Sequence, residues 1–309
     1  GSIFKSTRRY EWLTEKLKKA VIRAILLISE HFNRSEFEPY KYEADFGEKG
    51  AYPPITVELP DGGKMLLTGR IDRIDKLSSA EGDYLRIIDY KSGKKDLRLM
   101  DVYYGLQLQL LVYLSAVMEA EGENVLPGGV LYFTLEDPLV RGKRSFTEED
   151  IEKAVMKELK MKGLLLADVR LIRAMDRDLN GDSLIIPARI NRGDVLGRSS
   201  AASAEQFSML IAHIKSVLAR LGAEIAKGNV AVSPYKKKGI TACRWCSYSA
   251  VCQFDTAIKT YRYRFLRDMG DDEIWRIIQQ RDVNATGWNT DGENTTGSDT
   301  PGREERKNG

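Results

Sequence analysis

The chain has 309 residues, 42% of them apolar and 30% charged, with 48 Lys+Arg against 45 Asp+Glu. At roughly 150 residues per domain that allows about two domains or one large one, and the composition excludes a collagen, a mucin and a membrane bundle. The longest apolar run, 106–118, is interrupted by Gln107 and Gln109 and is too short to cross a bilayer, and no signal peptide precedes it. Gly1-Ser2 without a Met reads as a tag-cleavage scar, so an excised fragment of a longer protein is expected. Residues 282–309 carry six acids and three bases, which leaves the body with 45 bases against 39 acids, net +6.

In chain order, Tyr10, Leu13, Leu17, Val21, Ala24 and Ile28 recur at helical spacing, a lead-in helix within 1–36. Lys16, Lys18, Lys19 and Arg23 crowd its polar positions, as a solvated face or a phosphate-facing one. After Phe37-Glu38-Pro39 the pattern turns to extended segments at 40–46, 55–59, 65–76 and 84–91, punctuated by Pro53-Pro54, Asp61-Gly62-Gly63 and 78–83. A helix over 102–119 and a buried strand over 129–134 follow, so the core is α/β or α+β. The second half reads as mostly helical. Thr147 with Asp150 and Ser203 with Gln206 are capping boxes. The second helix carries a core stripe from Phe207 to Ile225 and ends at Gly228, while 181–203 reads as a loop or hairpin. From Thr286 onward apolar residues almost vanish, and 282–309 is expected to be a disordered tail.

The most informative stretch is Gly69-Arg70-Ile71-Asp72-Arg73-Ile74-Asp75 followed by Tyr84 through Gly93. A hairpin turning between Ala80 and Glu81 pairs positions that sum to 161, so Lys76 meets Leu85, Ile74 meets Ile87, and Asp72 meets Asp89. Carboxylates facing across a strand pair repel unless neutralised, and a divalent cation would do so. Lys91, two residues on, shares the face of Asp89. Hard oxygen ligands suit Mg²⁺, and with a lysine alongside they are the equipment of phosphodiester hydrolysis. Asp75 should face the other way and pair with Arg73 or a neighbouring strand. Taken alone, such a cluster also reads as surface ion pairs.

Gln109 and Tyr113 are four apart on the next helix and share one face, with Leu106, Leu110, Leu114 and Val117 as the apolar stripe. The glutamine could orient a water or contact a phosphate there, and Gln107 points elsewhere. The three cysteines, Cys243-x2-Cys246-x5-Cys252, have the spacing of a metal or cluster site rather than a disulfide framework. A zinc site borrowing His213 is the poorer reading, because His213 falls on the polar side of its helix.

These residues resemble the PD-(D/E)XK nuclease superfamily, in its RecB-like branch with the added glutamine-tyrosine motif. The resemblance rests on Gly69-x-x-Asp72, Asp89-x-Lys91 and Gln109-x3-Tyr113. It extends through Phe37-Glu38-Pro39, Glu43-x-x-Phe46-Gly47, Tyr103-Tyr104-Gly105-Leu106, Gly129 through Phe133, and Cys243 through Asp255. It implies a restriction-endonuclease-like core over 37–281, a central mixed β-sheet flanked by helices, with a helical C-terminal half that includes a cysteine segment at 243–252. It also implies Mg²⁺-dependent degradation of single-stranded DNA on the strand ending 5′, in double-strand-break processing in the bacterial cytoplasm. DNA ends and an AddA-type helicase-nuclease subunit would be the partners. Asp72, Asp89 and the Tyr90 carbonyl would hold the metal, Lys91 would be the catalytic lysine, and Glu43 matches a family glutamate or forms a core-edge ion pair.

Cys243, Cys246 and Cys252 resemble the family's [4Fe-4S] staple, whose fourth cysteine would lie outside these residues. The cluster is therefore expected to be incomplete or absent in this fragment. A family histidine beside the metal has no counterpart in His31 or His213. The competing class is a catalytically silent iron-sulfur module that grips DNA or a helicase, against which stand both aspartates and Lys91. An RNA-binding protein would need aromatic-rich strands where this sheet carries acids.

Overall fold

The computed structural model describes residues 7–283 apart from 137, 139 and 141–146. A long helix, α1 (Arg8–Arg34), leads into β1 (Glu38–Phe46), a short hairpin β2 (Ile55–Glu58) and β3 (Lys64–Leu67), and the long hairpin β4 (Gly69–Ser79) and β5 (Gly82–Lys91). Then come α2 (Leu99–Tyr103), α3 (Gln109–Glu121), β6 (Val125–Thr134), α4 (Glu148–Leu159), β7 (Lys162–Leu166) and α5 (Val169–Met175). Short strands β8 (Gly181–Asp182), β9 (Arg189–Asn191), β10 (Val195–Leu196) and β11 (Ala201–Ala202) precede α6 (Ala204–Ala226). The chain closes with β12 (Tyr235–Lys237), β13 (Ile240–Thr241), α7 (Ser249–Cys252), β14 (Arg264–Phe265) and α8 (Asp271–Val283).

The centre is a six-stranded sheet in the order β1-β4-β5-β6-β7-β11. Its β1–β4, β4–β5 and β6–β7 pairs are antiparallel, and β5–β6 and β7–β11 are parallel. This is the mixed sheet flanked by helices that the resemblance implies. Strands β5 and β6 are buried along most of their length, as strands covered on both faces are. No described helix is long and apolar enough to cross a membrane.

Four elements differ from the sequence reading. The strand over 65–76 is two strands broken at Thr68, and Gly69 opens the second because a Cβ there would lie 2.7 Å from the Phe46 ring. The helix over 102–119 is also two. Gly105, at φ +77, stops α2, and Gln107 staples the link by accepting from Arg98 N (2.9 Å) and donating to the Asp96 carbonyl (2.9 Å). Gln107 is therefore a structural residue, and Leu106 leaves the apolar stripe for solvent. The second half also adds β7 and β11 to the central sheet, and 181–203 builds small strands around buried Ile185, Ile186 and Ile190. These pairings are non-local, so a short apolar run such as Leu164-Leu165-Leu166 carries no period that announces them.

The fourth is α1. Its 27 residues span about 40 Å, and only its last turns, through Leu27 and His31, reach the core. The expected stripe is consequently uncovered at Tyr10, Leu17 and Val21, with Trp12, Ile22, Ile25 and Leu26 also exposed. Of its bases, Lys18 pairs with Glu15 (2.7 Å) and Lys16 lies over Trp12. Both capping boxes form, at Thr147/Asp150 and at Ser203/Gln206. The expected tail falls outside the described residues from 284 on, and Asp282 and Val283 belong to α8.

Candidate active site

The β4–β5 ladder has the register read from the turn, with Arg73 opposite Ile88, Ile74 opposite Ile87 and Lys76 opposite Leu85. It ends one pair short of Asp72 and Asp89. Beyond the last pair the Asp72 carboxylate substitutes for the ladder, accepting from Tyr90 N at 2.8 Å through Oδ2. Asp72 is thus locked to the strand that carries Asp89 and Lys91.

Asp89 is 1% exposed, and its Oδ2 is buried without a hydrogen-bond donor aligned on it. Lys91 Nζ lies 2.5 Å from that oxygen, an ion pair rather than an aligned hydrogen bond. Burial raises the pKa of the Asp89 carboxyl, the neighbouring Lys91 opposes the shift, and Asp72 adds to it. A buried carboxylate with an oxygen left over is costly unless something binds it. Two hard oxygen donors at the open end of a hairpin fit a divalent cation such as Mg²⁺, which binds through one or two carboxylates and keeps other positions for water or phosphate.

Lys91 is the link to α3. Its Nζ donates to Gln109 Oε1 at 3.2 Å, and Gln109 Nε2 donates to Tyr113 Oη at 2.8 Å. Tyr113 is wedged edge-on against Phe46 of β1 (5.5 Å). Strand β6 contributes Tyr132, opposite Asp89 in the parallel register, with Lys91 Nζ 5.8 Å from its ring centre. Burial, then Asp89 and Tyr113, push the Tyr132 phenol up to about 12, so it stays neutral. The sequence reading missed Tyr132, because a β5–β6 pairing that spans an intervening helix leaves no local signal.

Glu43 falls between the Tyr42–Arg73 and Ala44–Ile71 pairs, across from Asp72. It is exposed, has a left-handed φ of 46°, and lies 3.4 Å from the Arg70 guanidinium, which also binds Asp45 at 2.7 Å. It is held to Arg70 rather than to the Lys91 group. Asp75 points away, as expected, but into the interior. It is fully buried between Arg73 (2.5 and 2.9 Å) and Arg86 (2.6 and 3.1 Å), both 1% exposed. Phe32 and Phe37 cover the two guanidinium groups. His31 packs edge-on to Phe133, and burial followed by Arg86, Arg73 and Arg34 holds it down to about 3, hence neutral.

The cysteines stand apart from all this. Cys243 lies within a 3₁₀ turn (Ala242–Trp245) that Cys246 caps, Cys252 ends α7, and no three His, Cys, Asp or Glu side chains among the described residues converge enough to hold a metal ion. Three thiols so placed do not fit a [4Fe-4S] cluster, which takes four. His213 is a correction: it is buried, its Nε2 lies 3.0 Å from the Tyr103 carbonyl, and it stacks on the Tyr103 ring. It is packing, not a ligand held in reserve.

Residues 2–253 match the family model described as the PD-(D/E)XK nuclease superfamily. The chain belongs to that superfamily. It is 54% identical over 287 residues to a Ruminiclostridium cellulolyticum protein named as the B-type subunit of an ATP-dependent helicase/deoxyribonuclease, covering 92% of this chain. Proteins of the same name from Acetivibrio thermocellus and Clostridium novyi are 55% and 48% identical, over 91% of this chain in each case. The chain spans about a quarter of the length of these relatives (25%). In the fold, Asp72, Asp89, Lys91, Gln109 and Tyr113 form one contiguous group.

Proposed function

We propose that this chain is the nuclease domain of an AddB-type protein and hydrolyses single-stranded DNA with Mg²⁺, on the strand ending 5′, during double-strand-break processing. The observation that carries the reading is the buried Asp89 carboxylate, whose Oδ2 has only Lys91 Nζ beside it, at the hairpin end that Asp72 closes. Asp72, Asp89 and the Tyr90 carbonyl are the residues that would hold the metal. The metal's contribution is to polarise the scissile phosphate and to lower the pKa of an attacking water.

The chain's own groups do the rest. Lys91, 30% exposed at its side chain, is near enough to solvent to orient a water and to offset charge on the phosphate as attack proceeds. Gln109 holds the ammonium on one side while Asp89 holds it on the other, so its position is set before substrate arrives. Tyr113 and Phe46 brace Gln109, and neutral Tyr132 walls the floor against water. Glu43, tied to Arg70, stands at the mouth and has no assigned step. The chemistry does not pass through the cysteines.

An AddA-type helicase-nuclease partner and a bacterial cytoplasmic setting belong to the same proposal, supported by the names of the relatives. The deciding experiment compares degradation of labelled single-stranded DNA with Mg²⁺ and with EDTA. Loss in EDTA and in Asp89→Ala is expected; degradation indifferent to both would sink the metal-nuclease reading.

A further inference from the structure

The central sheet places one more cation in line with Asp89. Asp89 of β5 is the register partner of Tyr132 on β6, and Tyr132 is the partner of Lys162, the first residue of β7. Residues paired across strands turn their side chains to the same face, so the three form one row. It spans about 10 Å from Asp89 to Lys162, two strand spacings. Leu164, two residues on and therefore on that same face, lines a cavity with Leu99 and Val102 of α2 and Leu111 of α3. The row thus faces the layer that supplies Gln109.

Lys162 belongs to a group of cations. Met161 before it is buried, and half-buried Lys160 caps the end of α4. Burial first, and then Lys162, hold the Lys160 ammonium below the usual lysine range, with Asp182 opposing and Lys157 adding. Asp182 is committed to Arg189 (2.7 Å), and Glu158, the acid that senses Lys162, is committed to Lys94 (3.0 Å). Lys95, Lys160 and Lys162 make no ion pair among the described residues. The other flank of Asp89 has the opposite charge. There stand Asp72, Glu43 and Asp45, with Arg70 already bonded to the last two.

We propose that Lys162, backed by Lys160, binds the DNA phosphate adjacent to the scissile one, so that a single strand leaves the metal site over Tyr132 toward β7. This assignment rests on the nuclease reading of Asp89. A polyanion is repelled by the acidic flank and drawn to the basic one. Crowded like charges without a partner also leave room for a counter-charge from outside the chain. The phosphate held by Lys162 does not react, so the contact serves binding and register rather than bond breaking.

The test maps the cuts that the chain makes with Mg²⁺ in end-labelled dT20 carrying a single neutral methylphosphonate linkage. The unaltered chain is expected to cut the bond on one side of that linkage about tenfold less than the other bonds, the loss of one charged contact. Lys162→Gln should cut that bond as readily as the rest, and Lys162→Arg should avoid it again. On unmodified dT20 the glutamine variant should need about tenfold more protein for its half-maximal single-turnover rate, with the saturating rate changed less than about threefold. In EDTA, the salt slope of dT20 binding followed by anisotropy should fall by about 0.7, one phosphate contact at the single-strand value. The melting temperature should hold or rise, since the substitution relieves Lys160, and a fall would mark Lys162 as structural. The proposal is overturned if the unaltered chain and Lys162→Gln give the same cut pattern, or if the salt slope does not change. Absence of Mg²⁺-dependent cleavage with the slope change retained overturns the nuclease reading instead and leaves the phosphate contact standing.

Discussion

The two faces of the β4–β5 hairpin use the same residue types to opposite ends. On the inner back face, Asp75 has four hydrogen bonds from two buried guanidinium groups and nothing left to offer. On the other, Asp89 is equally buried but keeps one oxygen without an aligned donor, and the cation paired with it, Lys91, is shared with Gln109. A buried acid whose bonds are complete holds strands in register. One whose bonds are incomplete is built to accept something that is not part of the chain.

The sharpest break in that comparison is Asp89→Asn. On the proposed function Asp89 holds the metal, and removing such a carboxylate would forfeit several kcal/mol of transition-state stabilisation, so cleavage of single-stranded DNA is expected to fall by about three orders of magnitude. The melting temperature in chelator should hold or rise, because the substitution removes a desolvated charge. A variant that both loses cleavage and melts far lower would show that Asp89 is as structural as Asp75.

Asp75→Asn should reverse the pattern. It leaves Arg73 and Arg86 buried with no counter-charge, a loss of about 3–5 kcal/mol, or a melting temperature lower by roughly 10 °C for a domain this size. Any cleavage deficit should follow the unfolded fraction and disappear at low temperature. Urea titration alongside single-turnover cleavage separates the two.

The back face also sets an acid limit. The folded chain refuses a proton on His31 until about pH 3, whereas the unfolded chain takes it near 6.5. Folding therefore gains the full benefit of a neutral His31 above pH 6.5 and loses it as pH falls toward 3. Between pH 6.5 and 5 the loss is about 2 kcal/mol, at 1.36 kcal/mol per unit. His31→Phe, a ring of similar size against Phe133, should flatten that limb of the stability curve. An unchanged slope would mean that His31 is protonated in the fold.

How far the sequence alone can see follows from the same geometry. The hairpin register is readable because a local turn sets it, and both aspartates and Lys91 come with it. The capping boxes are readable for the same reason. The burial of the Arg73–Asp75–Arg86 triad is not, since it depends on Phe32, Phe37 and α1 arriving from elsewhere. Tyr132 is invisible because its pairing with β5 spans 43 residues, from Asp89 to Tyr132. The break before Gln109 is hidden by an apolar run that reads as continuous helix until Gly105 is seen at positive φ.

That break supplies the smallest and most discriminating pair. Gln107 and Gln109 are two residues apart and chemically identical, yet the Gln107 side chain bonds main chain while that of Gln109 bonds Lys91 and Tyr113. Gln107→Ala removes two hydrogen bonds from a partly exposed loop and should cost about 1 kcal/mol of stability, with cleavage per folded molecule changed only a few-fold. Gln109→Ala should leave the melting temperature nearly unchanged, because its bonds join side chains at a solvent-accessible site. Its effect should instead be a tenfold or greater fall in single-turnover rate, since Lys91 then answers only to Asp89. If the two alanine variants behave alike in both melting and rate, bond completeness does not separate structural from functional residues here, and the contrast between Asp75 and Asp89 would need another cause.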